Sequence, residues 1–358
     1  MKQQTPSEIK HSLDQAMLDF LWDAWGNLGL SASGEMSEIG SPLDPEVLIL
    51  ATAIWGRLDA RLFDEVLDWM HRHASLLQTS RIRTLSKTYH FSGQRVANAM
   101  LDAVAAQDDG PVWKSKKPKK VEAEEVLFST NPFFGEADPI FKDHGLVRPP
   151  VEFRGYSRDF PADHPAAQML RLRAFMGIAT RADCSLYLAL NTDGSMTFHA
   201  AGLAKILGYS PQAVAKSLQE MVRSGWVTSF RPPEPSDGRV VSYSATKALK
   251  DFVRGSQVRG GQATFTVRKW ALILQPLDHL NTVLEKLIEM NASDQIVQSE
   301  LSRCYVKFHR TDLWEWRDIY PEKQTLFDID SILRFIRSLH GSDTGSSSQP
   351  RVSATTSA

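Results

Sequence analysis

Residues 203–230 read LAKILGYSPQAVAKSLQEMVRSGWVTSF. Leu203, Ile206 and Leu207 give the stretch 200–207 an apolar side at helical spacing. Gly208-Tyr209 follows as a tight turn in which glycine supplies a positive φ without steric cost. Ser210-Pro211 then combines a capping hydroxyl with a proline at the first helical position, the signature of a helix start. The new helix runs to about Ser224 and stops at Gly225. Within it Val214, Leu218, Met221 and Val222 fall on one face, and Gln212, Lys216, Gln219, Glu220 and Arg223 on the opposite arc. Stretches 226–231 and 239–245 alternate like two strands around the loop PPEPSDG at 232–238. Upstream, 166–190 is helical with a break near Gly177, a turn follows at Asn191-Thr192-Asp193-Gly194, and 195–198 is short and extended.

Helix, short strand, helix, turn, helix and hairpin is the order of a winged helix-turn-helix. The stretch resembles that family in its small Ala204, its turn glycine Gly208, its Val214/Leu218/Met221 pattern and its Gly225-Trp226-Val227 exit. In outline it is similar to MarR-type and ArsR-type bacterial repressor domains. The layout around it resembles a larger bacterial family of winged-helix proteins, through DPEVLILATAIWGRLDARLFDEVLDW, FFGEADPIFKDHGLVRPP and LRLRAFMGIATRAD. That wider likeness implies no ligand or reaction.

The charge distribution agrees with a polyanion-binding centre. The whole chain is nearly neutral at −1, yet residues 1–75 hold 5 Lys/Arg against 12 Asp/Glu, and residues 199–259 hold 9 against 4. A helix of this size fits the DNA major groove with its N-terminal part nearest the base edges. Gln212 and Lys216 are therefore the candidates for base contact, Gln toward adenine and Lys toward guanine. Gln219 shares their arc, and Ser217 stands at its edge within reach of a phosphate. Arg223 is placed for the DNA backbone, and Ser210 with the free first-turn N–H groups for a phosphate. Arg231 and Arg239 flank the hairpin loop, where an arginine reaches phosphate or the minor groove. Arg154, Arg158, Arg171 and Arg173 extend this surface, or are ordinary surface and capping charge.

Five regions follow. Residues 1–107 read as a helical domain, with apolar stripes in 8–25, 62–70 and 92–106, helix starts at Asp44-Pro45 and Asp59, and a nearly all-apolar helix at 47–55. Residues 108–164 read as a charged linker containing KSKKPKK, then an irregular Pro/Gly/aromatic arm that Phe133, Phe134, Ile140, Phe141 and Leu146 pin to a neighbour. The winged helix-turn-helix occupies 165–260, and a helical C-terminal region 261–340. In that region Pro276 is expected to start or kink a helix over 269–290, 301–308 fits either strand or helix, and 325–339 is helical. Residues 341–358 read as a disordered tail. The fold class is thus mainly α with one small hairpin wing.

Chemistry-bearing patterns are sparse. The sequence lacks GxxxxGK[ST], GxGxxG after a strand, HExxH and GxSxG. Two cysteines, Cys184 and Cys304, cannot build a four-thiolate zinc site or a disulfide framework and suit a reducing compartment. Cys304 has Arg303 and His309 nearby but no third orienting group. His71 and His73, two apart, do not share a helix face and suit a surface or helix end rather than a metal. Asp312, Glu315 and Asp318 read as a solvated face. The longest apolar run, Val47–Trp55, is far shorter than a membrane span, and the first fifteen residues lack a signal-peptide core. The expectation is a cytoplasmic, non-enzymatic, DNA-binding transcriptional regulator without metal or cofactor. Double-stranded DNA is its partner, and the resemblance implies a homodimer formed through flanking helices, although the apolar stripe of 325–339 itself reads as intramolecular core. The competing expectation is an accessory protein, such as one half of a toxin–antitoxin pair. In that case the winged helix and the acidic N-terminal helices would meet a protein encoded nearby.

Overall fold

The computed structural model describes residues 4–31, 37–107, 113, 123–128, 135–177, 180–190, 198–231, 241–255, 267–310 and 328–339. These residues are mainly helical, with fourteen α-helices among them. Helix α1, Pro6–Gly26, opens on a capping box: Glu8 N–H donates to the Thr5 hydroxyl, and Thr5 N–H donates to the Glu8 carboxylate at 2.7 Å. Its stripe Ile9, Leu13, Met17, Phe20 and Leu21 is buried, as the spacing requires. Helix α2, Pro45–Trp55, starts at an Asp44 cap and is buried almost all round, which makes it the central rod. Helix α3, Ala60–Arg72, has its first N–H groups satisfied by Asp59 and ends at a buried His73 that stacks on Trp69, ring centroids 4.6 Å apart. Helix α4, Thr79–Tyr89, closes on His90 in the left-handed region. Helix α5 is Gln94–Ala105.

The arm then folds onto these helices. Strand β1 (Glu125–Val126) pairs in parallel with β2 (Leu146–Val147), and the short helix α6, Pro139–Asp143, lies between them in sequence. Phe141 and Leu146 are fully buried in the body's core and Ile140 is half-buried against it. Phe133, Phe134 and the KSKKPKK run lie outside the described residues. The Arg148 guanidinium sits over the rings of Phe63, Phe128 and Phe141 at 5.1–5.8 Å. Asp68 of α3 accepts the backbone N–H groups of Gly155 (2.8 Å) and Ser157 (3.0 Å), which fastens the extended arm.

A second set of elements begins with α7, Gln168–Met176, and α8, Thr180–Leu190, separated at Gly177. Strand β3 (Phe198–His199), α9 (Ala200–Leu207) and α10 (Pro211–Arg223) follow. Strands β4 (Val227–Phe230) and β5 (Ser242–Ala245) complete an antiparallel sheet of order β3-β5-β4, with Thr228 opposite Ser244 and Phe198 opposite Tyr243. Helix α11, Lys247–Gly255, was not apparent in the sequence reading; it buries Leu249 and Val253. From Met169 to Val253 this unit has its own apolar core.

Helices α12 (Trp270–Glu289), α13 (Asp294–Arg310) and α14 (Ile329–Ser338) return to the first body. Helix α12 continues through Pro276 rather than starting there, leaving one helical hydrogen bond unmade. The stretch 301–308, open to strand or helix by sequence, is helical. Trp270 donates its indole N–H to Pro42 O at 2.7 Å and packs on Phe20, ring centroids 5.6 Å apart. Helix α14 lies on α1, so helices α1–α5 and the described helices α12–α14 share one core. No helix among the described residues is long and apolar enough to cross a membrane.

Candidate nucleic-acid interface

The turn between α9 and α10 is built as its residues demand. Gly208 takes φ +71° at the end of α9 and its N–H donates to Ala204 O. Ser210 caps α10 by accepting the Ala213 N–H at 3.2 Å, with Pro211 at the first helical position. At the other end Ser224 is the cap and Gly225 follows at φ +75°.

Val214, Leu218 and Met221 are buried beneath α10. Gln212, Lys216, Gln219 and Arg223 are exposed. Spaced four, three and four, these four residues form a single ridge about 60° wide, pointing directly away from the core. Glu220, which the sequence placed on the same arc, lies to its side and forms an ion pair with Arg181 of α8. Its charge is thereby neutralised at the ridge.

Ser217 does not belong to this surface. It is buried, only 9% exposed, because position 217 falls within the same inward sector as Val214 and Met221. Arg173 is likewise no phosphate ligand: it is fully buried. Ser210 and Arg231 are exposed, whereas Arg239 lies outside the described residues. Arg154, paired with Glu152, and Arg158 are on the arm, and Arg171 donates to Ala162 O at 3.3 Å.

The unit is held to the helical body by buried charge. Glu46 accepts from Arg173 at 2.6 and 2.9 Å, from Arg81 at 2.5 Å and from the Gln78 N–H at 2.8 Å. Arg173 also grips Asp183 with two bonds of 2.8–2.9 Å, and the Tyr209 hydroxyl donates to Asp183 at 2.7 Å. Arg81 pairs with Asp44, donates to Leu207 O at 2.5 Å and lies over the Tyr209 ring. Burial would push the Asp183 carboxyl up, but the Arg173 charge outweighs it and holds the group below its ordinary value. Burial, with the Asp183 charge adding to it, pushes the Tyr209 hydroxyl well up, so it remains a donor. These residues escaped the sequence reading as a group. The signal was present: Glu46 opens a helix that is otherwise apolar, and Asp183 lies within ADCSLYLAL.

Gly208 is where this junction is tightest. A Cβ there would stand 2.6 Å from the Leu85 side chain of α4, and φ is positive. Gly208→Ala should lower stability by about 2–4 kcal/mol, combining a left-handed backbone penalty with overpacking. Urea denaturation followed by far-UV circular dichroism measures it; a loss under 1 kcal/mol would contradict the tight contact.

The thiols are not activated. Cys184 is buried and its thiol is pushed up by burial; Cys304 is also buried and pushed up to about 11. Among the described residues no three His, Cys, Asp or Glu side chains are grouped to hold a metal ion. No protein-family model matches this chain, and no curated protein or solved structure matches it.

Proposed function

We propose that the unit from α7 to α11 is a winged helix-turn-helix that binds double-stranded DNA, and that the chain is a transcriptional regulator. The observation that carries this reading is the ridge of Gln212, Lys216, Gln219 and Arg223, exposed opposite a buried stripe. In this reading α10 enters the major groove. Gln212 and Lys216 read base edges, Gln219 follows along the groove and Arg223 meets the backbone. Ser210 and the first-turn N–H groups face a phosphate, aided by the helix dipole. Arg231, and Arg239 by its place in the sequence, grip the flanking backbone or minor groove.

Fluorescence anisotropy with a labelled mixed-sequence duplex of about thirty base pairs, titrated at several salt concentrations, tests this. Binding should weaken steeply with salt, each phosphate contact adding about 0.9 to the log–log slope. Arg223, Arg231 and Arg239, the three cations assigned to the backbone, give a slope of about −2.7, roughly −0.9 for each, and a phosphate contact by Lys216 would steepen it to about −3.6. Absence of binding at micromolar protein, or binding indifferent to salt, would overturn the reading. A stable protein complex recovered from cells, with no retention on a DNA column, would favour the accessory-protein reading instead.

A further inference from the structure

Between helix α3 and the arm lies a cavity of about 540 Å³, a volume ordinary for small-molecule sites. One wall is a single face of α3, in which positions 60, 64 and 68 follow one another turn by turn, with 61 and 65 beside them. The other wall is the arm, which contributes positions 150, 152, 154 and 156, alternate residues of an extended chain. The arm is fixed at both ends of this cavity. At one end Arg148 lies over the Phe128 ring and 2.7 Å from Asp64. At the other, Asp68 accepts the N–H groups on either side of Tyr156, those of Gly155 and Ser157. The Tyr156 side chain lines the cavity and is 63% exposed. Glu65 lines it too, and precedes Asp68 by three residues on the same helix face, so it meets the cavity one turn from the point where Tyr156 is anchored.

Most charges on these walls are spent locally. Arg148 answers Asp64, Asp68 is committed to backbone N–H groups, Arg154 pairs with Glu152 at 3.2 Å, and Arg61 lies over the Trp22 ring. Glu65 differs: it makes no hydrogen bond and no close ion pair among the described residues. Burial raises its carboxyl above the ordinary value; Arg61 and Arg154 counter this, while Asp68 and Asp64 add to it. A carboxylate short of a counter-charge and an exposed aromatic ring thus share one cavity. An organic cation satisfies both, by donating N–H bonds to the carboxylate and by resting its charge on the ring face. A metal ion does not suit, since the carboxylates here are not grouped to hold one. We propose that this cleft binds a small organic cation, an ammonium or amidinium group on an apolar stem, with Glu65 accepting its N–H bonds, Tyr156 against its charge, and Phe128, Pro149 and Pro150 against the stem. The walls on both sides suit a free molecule. The inference stands apart from the reading of α10, because the cleft is built only from α3 and the arm.

Isothermal titration calorimetry of the full chain tests this with benzamidine, benzamide and benzoate, which share one shape and are cationic, neutral and anionic. Benzamidine should saturate a single site with a Kd of about 1 mM or tighter. Benzamide and benzoate should bind at least about tenfold more weakly. Glu65→Gln should weaken benzamidine by about tenfold and Tyr156→Ala by about threefold or more. Glu289→Gln, an exposed carboxylate at the end of α12, should leave its Kd unchanged. Thermal melting without ligand checks that each variant folds. No saturation by roughly 10 mM benzamidine would overturn the proposal, as would benzoate binding equally well. Binding that Glu65→Gln and Tyr156→Ala both leave intact would place the cation elsewhere and also overturn it. Tighter binding of the blocked peptide acetyl-Ala-Arg-Ala-amide than of benzamidine would assign the cleft to a side chain of a partner protein, against the free molecule proposed.

Discussion

Arg173→Met should lower folding stability by about 3–5 kcal/mol. Arg173 is fully buried and makes five hydrogen bonds, two to Glu46, two to Asp183 and one to Leu76 O. Two guanidinium groups, Arg81 and Arg173, face three carboxylates in that cluster. Methionine fills much of the volume but removes one of the two positive charges. Asp183 would keep only the Tyr209 hydroxyl, and Glu46 only Arg81 and one backbone N–H. An ionised carboxylate without its counter-charge is costly out of water, which is why breaking such a pair exceeds the pair's net worth. Two further measurements identify the cause. In the double variant Arg173→Met/Asp183→Leu the loss should be smaller than the sum of the single losses, since the stranded carboxylate is gone. The pH dependence should also differ. In wild type the Asp183 pKa is held below 3.8, so its stabilisation is complete above that pH and is lost as pH falls through the depressed value. Without Arg173, burial drives the carboxyl up against only the Arg81 charge and the Tyr209 hydrogen bond, and the penalty is greatest near neutrality. The gap between variant and wild type must therefore narrow as the solution is acidified toward pH 3.8. A gap that is constant or widens would mean the loss comes from packing rather than charge.

Lys216→Glu is expected to cost about 2 kcal/mol or more of DNA affinity, roughly thirtyfold, in the anisotropy assay. Lys216 stands midway along the exposed ridge, one turn beyond Gln212 and just before Gln219. The substitution removes a donor to a base edge or phosphate and places a carboxylate against a polyanion. Folding should be unaffected, because an exposed position tolerates the exchange within about 0.5 kcal/mol. Ser217→Ala is the informative comparison. It is adjacent in sequence but faces the core, so it should leave affinity as in wild type. Equal losses at 216 and 217 would indicate a disturbed helix rather than a contact surface.

The local readings succeeded where one residue's chemistry dictates one backbone state. Ser210-Pro211, Asp44-Pro45 and Asp59 start helices where expected, and Gly208 makes the turn. Ser217 was misplaced because a small polar residue at the border of an apolar stripe carries almost no periodic signal. Helix α11 was missed because only Leu249, Phe252 and Val253 mark its inner side, directly after a strand. The arginine cluster was illegible for a different reason. A charged residue on a helix is solvated by default. Nothing local reveals that Arg173 meets a glutamate 127 positions earlier. Only the tertiary fold makes those two charges neighbours, and the ridge of α10 takes its place relative to the body from that pairing.

The sharing of one core by α1 and α14 bears on how the polypeptide emerges from the ribosome. Nascent chains fold vectorially, and long-range closure is slow. The earliest helices here cannot complete their burial until residues 329–338 have been made, whereas the unit between α7 and α11, Leu170 apart, has its apolar partners within its own span. The middle of the chain is therefore ready to fold before its flanks can close. A premature stop near residue 311 would release a folded centre attached to an uncovered α1, an aggregation-prone product and a substrate for chaperones or proteases.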